Sequence, residues 1–326
     1  MDMAVNNTDK PKKRIVNKAL LQQLAPFLSL VLMFIFFSFS TEYFFNFENL
    51  ITVALQTSVI GVLAIGATFV IITAGIDLSV GAVMAVSGVC SGLAISAGLP
   101  LYIGVPAGIL VGTLCGFITG LLISKFKIPP FIATLGMMMI ARGVTMVLTQ
   151  GRAIYFSKEP VFKMISQGKL FDAIPYPVIY LFLIAFVSGF ILKKTAIGRC
   201  VYAVGGNEEA ARLSGINVIK TKLFVYSYAG LLTGIGGIIL AARLNSAQPT
   251  AGMGYELEAI AAAVIGGTSL MGGEGTILGT IIGAFIMAIL KNGLNLMNVS
   301  QFWQMVAMGV VVIGAVYLDT LRKRNR

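Results

Sequence analysis

The chain has 326 residues, 57% of them hydrophobic and only 11% charged, with a mean hydropathy of +0.90. Soluble domains carry roughly a quarter of their residues as charges, so a soluble protein is excluded and a polytopic integral membrane protein surrounded by lipid remains. The net charge of +11 does not indicate nucleic acid, because it gathers at termini and loops and forms no basic groove interleaved with aromatics.

A hydrocarbon core about 30 Å thick needs roughly 20 apolar residues per helix. Apolar length places ten spans, at 26–41, 51–73, 79–97, 101–124, 129–150, 175–192, 221–243, 256–270, 277–296 and 302–319. The fold class is therefore an all-α membrane protein of about ten transmembrane helices, some of them broken or re-entrant. Residues 1–25 form an N-terminal segment, 26–319 one transmembrane domain and 320–326 a tail. The first span follows basic residues as a signal peptide does, but Ser38 to Phe44 runs into bulky aromatics and offers no small-residue cleavage site, so an uncleaved helix is expected.

Lys10, Lys12, Lys13, Arg14 and Lys18 precede the first span, Lys125 and Lys127 follow the fourth, and Arg322, Lys323, Arg324 and Arg326 end the chain. This positive-inside pattern puts both termini in the cytoplasm. Glycines 104, 108, 112, 116 and 120 recur every fourth residue on one face of the fourth span, and Gly275, Gly279 and Gly283 repeat the device at the ninth. Such stripes let helix backbones approach closely in lipid.

Two polar segments interrupt the apolar rhythm. The first is Gly75-Ile76-Asp77-Leu78-Ser79-Val80-Gly81. The second runs from Asn245 through Ser246, Gln248, Pro249 and Thr250 to Glu256, followed by Gly266-Gly267-Thr268-Ser269 and on to Gly275. Glycine-interrupted pairs in the two halves of a transporter point to broken helices lining a pathway, consistent with an inverted repeat of spans two to five and seven to ten. Asp77 or Ser79 either caps the third span or serves as a gate. Asn245, Gln248, Thr250, Thr268 and Ser269 offer the hydroxyls and amides a neutral polyol needs, or else satisfy the backbone of the broken helices. Arg142 and Lys291, inside spans five and nine, suggest interhelical pairing or snorkelling.

Between the sixth and seventh spans lies a charged island, residues 198–217, flanked by Lys193, Lys194, Lys220 and Lys222. Asn207 can cap a short helix, Glu208 and Glu209 suit its first turn, and Arg212 and Gly215 suit its end. No Gly-x-x-x-x-Gly-Lys-Ser/Thr loop occurs anywhere in the chain, so a nucleotide that drives it must bind another protein. The absence of histidine removes His-based catalysis, and Cys90, Cys115 and Cys200 share no metal or redox spacing. No enzyme activity, cofactor or metal is expected.

The segments Gln56-Thr57-Ser58, Thr73 to Gly81, Phe131 to Leu135 with Arg142-Gly143, Gly198-Arg199, Gly205 to Glu208, Ala211 to Asn217, Ala242 to Gly252, Glu256 and Gly266 to Gly275 together resemble the permease subunits of bacterial ATP-binding-cassette importers for monosaccharides, most closely those that import ribose. The resemblance implies a multi-pass subunit of the bacterial plasma (inner) membrane. It implies a homodimer served by a cytoplasmic ABC ATPase and a periplasmic or extracellular sugar-binding protein. It also makes Gly206, Asn207, Glu208, Glu209, Ala211, Arg212 and Gly215 the ATPase-coupling helix. Another monosaccharide or sugar-like signal, a branched-chain amino acid, and a self-sufficient secondary transporter are the competing readings.

Overall fold

The computed structural model describes residues 12–156 and 160–324, so the expected segments 1–25 and 320–326 lie partly outside the described residues. In chain order the elements are α1 (Lys12–Ser40), α2 (Phe47–Ile72), α3 (Val80–Ser96), α4 (Leu101–Ser124), α5 (Pro130–Thr149), β1 (Ile154–Tyr155), α6 (Pro160–Gln167), β2 (Lys169–Leu170), β3 (Ile174–Pro175), α7 (Tyr176–Lys194), α8 (Ala196–Gly206), α9 (Glu208–Leu213), α10 (Val218–Leu244), β4 (Ser246–Ala247), α11 (Tyr255–Ile265), α12 (Ile277–Leu296) and α13 (Gln301–Arg324). The strands are two-residue antiparallel pairs, β1 with β4 and β2 with β3.

Among the described residues α2, α4, α5, α7, α10 and α12 are long and apolar enough to cross a membrane, and Pro26–Ser40, Val80–Ser96 and Gln301–Tyr317 are shorter apolar stretches. The expected span at 256–270 is corrected: only Tyr255–Ile265 is helical there, about 16 Å of helix and too short to cross. The helix stops because Gly267 adopts φ +94°, a left-handed conformation that glycine enters without penalty.

Two long helices form the centre. α2 and α10 lie against each other antiparallel, with Gly66 facing Ala229 and Gly236 facing Leu63. α2 is apolar on all sides and buried over most of its length, as expected for a helix enclosed by others. It also packs on α7, α11 and α12, whereas α10 also packs on α3, α4 and α6. Further out, α3 packs on α4 and α5, α11 on α12 and α13, and α1 on α12.

The α4 stripe packs as its spacing predicts. Gly104, Gly108, Gly112, Gly116 and Gly120 are all buried, while Leu110, Leu114, Phe117 and Ile118 face outward. A Cβ on Gly112 would stand 2.8 Å from Gly230 O and Gly234 Cα, and one on Gly116 would fall onto Tyr226 O. Polar contacts supplement this packing between α2 and α12, where the Thr68 and Thr280 hydroxyls meet at 2.6 Å and Asn49 and Asn292 exchange reciprocal amide bonds of 3.1 and 2.9 Å.

Gly116→Leu is expected to lower stability by at least ~2 kcal/mol through overpacking. Gly136→Leu, at a position with no neighbour within 4 Å, should leave it unchanged. Thermal unfolding of the two variants in detergent checks the contrast.

Candidate functional site: two interrupted helices and an exposed short helix

The first interruption begins where α2 stops. Thr73 N and Gly75 N both donate to Val70 O, at 3.0 and 3.1 Å, and Ala74 takes φ +57°, which turns the chain back on itself. Residues 73–79 then run without helical bonding until α3 starts at Val80. Asp77 Oδ1 accepts from Ser79 N at 2.8 Å and from Ser79 Oγ at 2.6 Å. The Asp77 carboxylate thus closes a turn at the N-terminus of α3, while Ser79 makes no side-chain cap bond of its own. Both residues are buried. Thr134 Oγ1 on α5 steadies the segment by donating to Ile76 O at 3.3 Å.

The second interruption follows α10, whose end is marked by Asn245 at φ +51°. Ser246 and Ala247 pair with Tyr155 and Ile154, and Gln248 Nε2 donates to Ser246 Oγ at 3.3 Å. The chain then turns back toward α3. Arg142 Nη1 on α5 donates to Pro249 O at 2.7 Å and to Ala251 O at 3.0 Å, so one guanidinium satisfies two carbonyls that no helix serves. Glu256 Oε1 accepts from Gly254 N at 3.2 Å, and α11 begins.

The two interruptions touch. A Cβ on Gly81, in the first turn of α3, would fall onto Gly252 O and onto Glu256 Oε2. The N-terminal ends of α3 and α11 therefore meet glycine to glycine. Both ends carry the positive pole of a helix dipole, and acids accompany both, Asp77 beside α3 and Glu256 and Glu258 in the first turn of α11. Glu258 Oε1 in turn accepts from Lys291 Nζ on α12 at 2.8 Å, and that ammonium lies 5.5 Å from the centre of the Tyr255 ring.

The candidate pathway residues occupy three places rather than one pocket. Asp77 and Ser79 sit at the first interruption, and Asn245, Gln248 and Thr250 line the approach to the second. Thr268 and Ser269 are buried in the turn between α11 and α12, where Ser269 N donates to Glu274 O at 3.0 Å. Between α3, α10 and the second interruption a cavity of about 10 Å³ is lined by Met84, Gly88, Gly237, Ser246 and Gln248, room for about one water molecule. The structure is closed to a sugar at this point.

At the opposite end of α10 stands α9. Asn207 Oδ1 accepts from Ala210 N at 2.9 Å, which caps the helix as expected. Gly215 N bonds Arg212 O and Ile216 N bonds Ala211 O, with Gly215 at φ +83°, a Schellman ending. Glu209 pairs with Arg212 at 2.6 Å, and Glu208 reaches Lys222 of α10 at 2.6 Å. Gly206, Glu208, Glu209 and Arg212 are exposed, whereas Ala211 is buried beneath the helix.

Residues 49–316 match the family described as branched-chain amino acid transport system / permease component. The chain belongs to this permease family. Its relatives include the ribose import permease proteins of Haemophilus influenzae, 45% identical over 93% of this chain and 94% of that one, and of Bacillus subtilis, 45% identical over 99% and 100%. The D-allose transport system permease protein of Escherichia coli is 39% identical over 90% of each chain.

In this permease Lys291 forms an interhelical pair of the kind expected from its sequence position, but Arg142 does not. The partners of Arg142 are backbone carbonyls of a segment more than a hundred residues away, where the chain runs unwound between α10 and α11. Arg142→Gln is expected to destabilise the permease by about 2 kcal/mol, since hydrogen bonds from a charged donor contribute roughly 1.5–3 kcal/mol. Arg142→Lys, a single-point donor, should recover part of that loss, as followed by thermal unfolding in detergent.

Proposed function

We propose that this permease is the membrane subunit of an ATP-driven, binding-protein-dependent importer of ribose. The observation that carries the sugar is the level and extent of similarity. Identity is 43–45% over more than nine-tenths of the chain to proteins named ribose import permease, against 34–39% to those named for D-allose or xylose. The family description mentions branched-chain amino acids, and the relatives favour the monosaccharide. Energy comes from a separate cytoplasmic ATPase, in keeping with the missing phosphate-binding loop, and a binding protein delivers the sugar.

In this reading ten apolar segments cross or enter the membrane, with α3 and α11 as shortened members. The packing supports an inverted repeat of α2–α5 and α10–α13. α3 on α4 and α5 corresponds to α11 on α12 and α13; α2 on α11 and α12 corresponds to α10 on α3 and α4. The two interrupted members, α3 and α11, are equivalent under the same exchange. The α9 end faces the cytoplasm, supported by Lys193, Lys194, Arg199, Arg212, Lys220 and Lys222 around it, and residues 1–25 and 320–326 lie on the same side. There α9 docks on the ATPase through its exposed face, Gly206, Asn207, Glu208, Glu209 and Arg212. Two copies of the chain form the working unit.

Transport then proceeds by alternating access, with differential binding in two states supplied by the permease and free energy by ATP. The two interruptions are the moving wall of the pathway. Asp77, whose Oδ1 is engaged within its own turn, is a structural acid here and not a coupling-ion site, which disfavours a self-sufficient secondary transporter.

Reconstitution with the cognate ATPase and binding protein is expected to give ribose uptake that requires ATP and both partners, with leucine not carried. Uptake driven by an ion gradient without the ATPase, or preference for leucine, would contradict the reading. In the same system Arg212→Glu should reduce ATPase co-purification at least fivefold.

A further inference from the structure

Three backbone segments converge where α8 runs into α9. Gly205, next to last in α8, is buried with no room for a side chain: a Cβ would fall onto Ile72 O and lie 2.8 Å from Gly273 N. These two groups are themselves bonded, Gly273 N donating to Ile72 O at 2.9 Å. Gly272 and Gly273, at φ +83° and +75°, wrap around the same point, where a Cβ on Gly272 would stand 2.6 Å from Gly205 O and 3.0 Å from Ala74 N. Three residues before Gly205, Tyr202 crosses the junction and donates its hydroxyl to Gly275 O at 2.7 Å. Burial pushes the Tyr202 phenol above its ordinary range.

The chain positions of these contacts matter. Ile72 is the last residue of α2 and leads directly into the first interruption. Residues 272–275 connect α11, the half-length helix of the second interruption, to α12. α8 continues through Asn207 into α9. One junction of backbone on backbone thus joins the exposed short helix to the end of α2, where the first interruption begins, and to the turn after α11, whose other end borders the second interruption, and Lys222–Glu208 fastens the same short helix to α10. Contacts of this kind leave little slack, because close-packed interiors pass on displacement rather than absorb it.

We infer that Tyr202 and Gly205 are positioning residues that deliver a displacement of α9 to both interruptions together. This rests on the reading of α9 as the ATPase-docking helix. Loosening the junction should therefore uncouple hydrolysis from transport without dissolving the complex.

The test uses the full reconstituted complex and three readouts: ATPase co-purification, ATP hydrolysis, and ribose moved per ATP hydrolysed. For Tyr202→Phe, which removes one hydrogen bond and little volume, co-purification should stay within twofold of wild type while ribose per ATP falls at least threefold. Gly205→Ala should act in the same direction and more strongly. The inference is overturned if Tyr202→Phe keeps the wild-type ratio, or if it loses the ATPase altogether, since the junction would then serve assembly and not transmission. Failure of the underlying reading is separately visible: Arg212→Glu on the exposed face of α9 would then leave co-purification unchanged.

Discussion

The fold depends on how the protein satisfies peptide groups at two places where helices stop inside an apolar interior. An unpaired buried carbonyl or amide is expensive in a medium that offers no water. Each interruption is answered by a specific device. Asp77 collects the Ser79 amide and hydroxyl, Thr134 serves Ile76 O, Arg142 serves Pro249 O and Ala251 O, and Glu256 collects the Gly254 amide. α5 contributes to both repairs, through Thr134 to the first and Arg142 to the second, and so holds the two interruptions in a fixed relation.

Given those repairs, the glycines follow. Bringing two helix N-termini together requires that no side chain stand between them, which Gly81 and Gly252 provide. Wrapping α4 against α10 makes the same demand over a longer stretch, and the α4 stripe meets it against Gly230 and Gly234. Without a hydrophobic force between helices in lipid, such proximity and a few interhelical hydrogen bonds do the holding. The small cavity beside Gln248 leaves room for about one water molecule between these segments.

Much of this was legible in the sequence. The long helices α2, α4, α5, α7, α10 and α12 were placed by apolar length, because a span must be both long and lipophilic. The α9 helix was legible because Asn207, the two glutamates and Gly215 are local signals whose partners lie within a few residues. Apolar length overextends the eighth span, since no charged residue occurs between Glu258 and Glu274 while the backbone already turns at Gly267, and hydropathy does not register φ. The roles of Arg142, Tyr202 and Lys222 were hidden for a different reason: their partners, Pro249, Gly275 and Glu208, are set by topology. The candidate polar residues were found but not their arrangement, as Thr268 and Ser269 lie at the α9 end, far along the chain from Asp77.

As the proposed moving wall of the pathway, the two interruptions must change the side to which they are open. The most direct test is the reactivity of single cysteines at Leu78→Cys and Thr250→Cys, one in each interruption, in a chain whose Cys90, Cys115 and Cys200 are replaced by alanine. A membrane-impermeant maleimide would be applied from each side, with and without ATP trapped on the ATPase. Trapping ATP is expected to change the side from which both positions react, by at least tenfold in rate. Equal rates in both states, at both positions and from both sides, would contradict it.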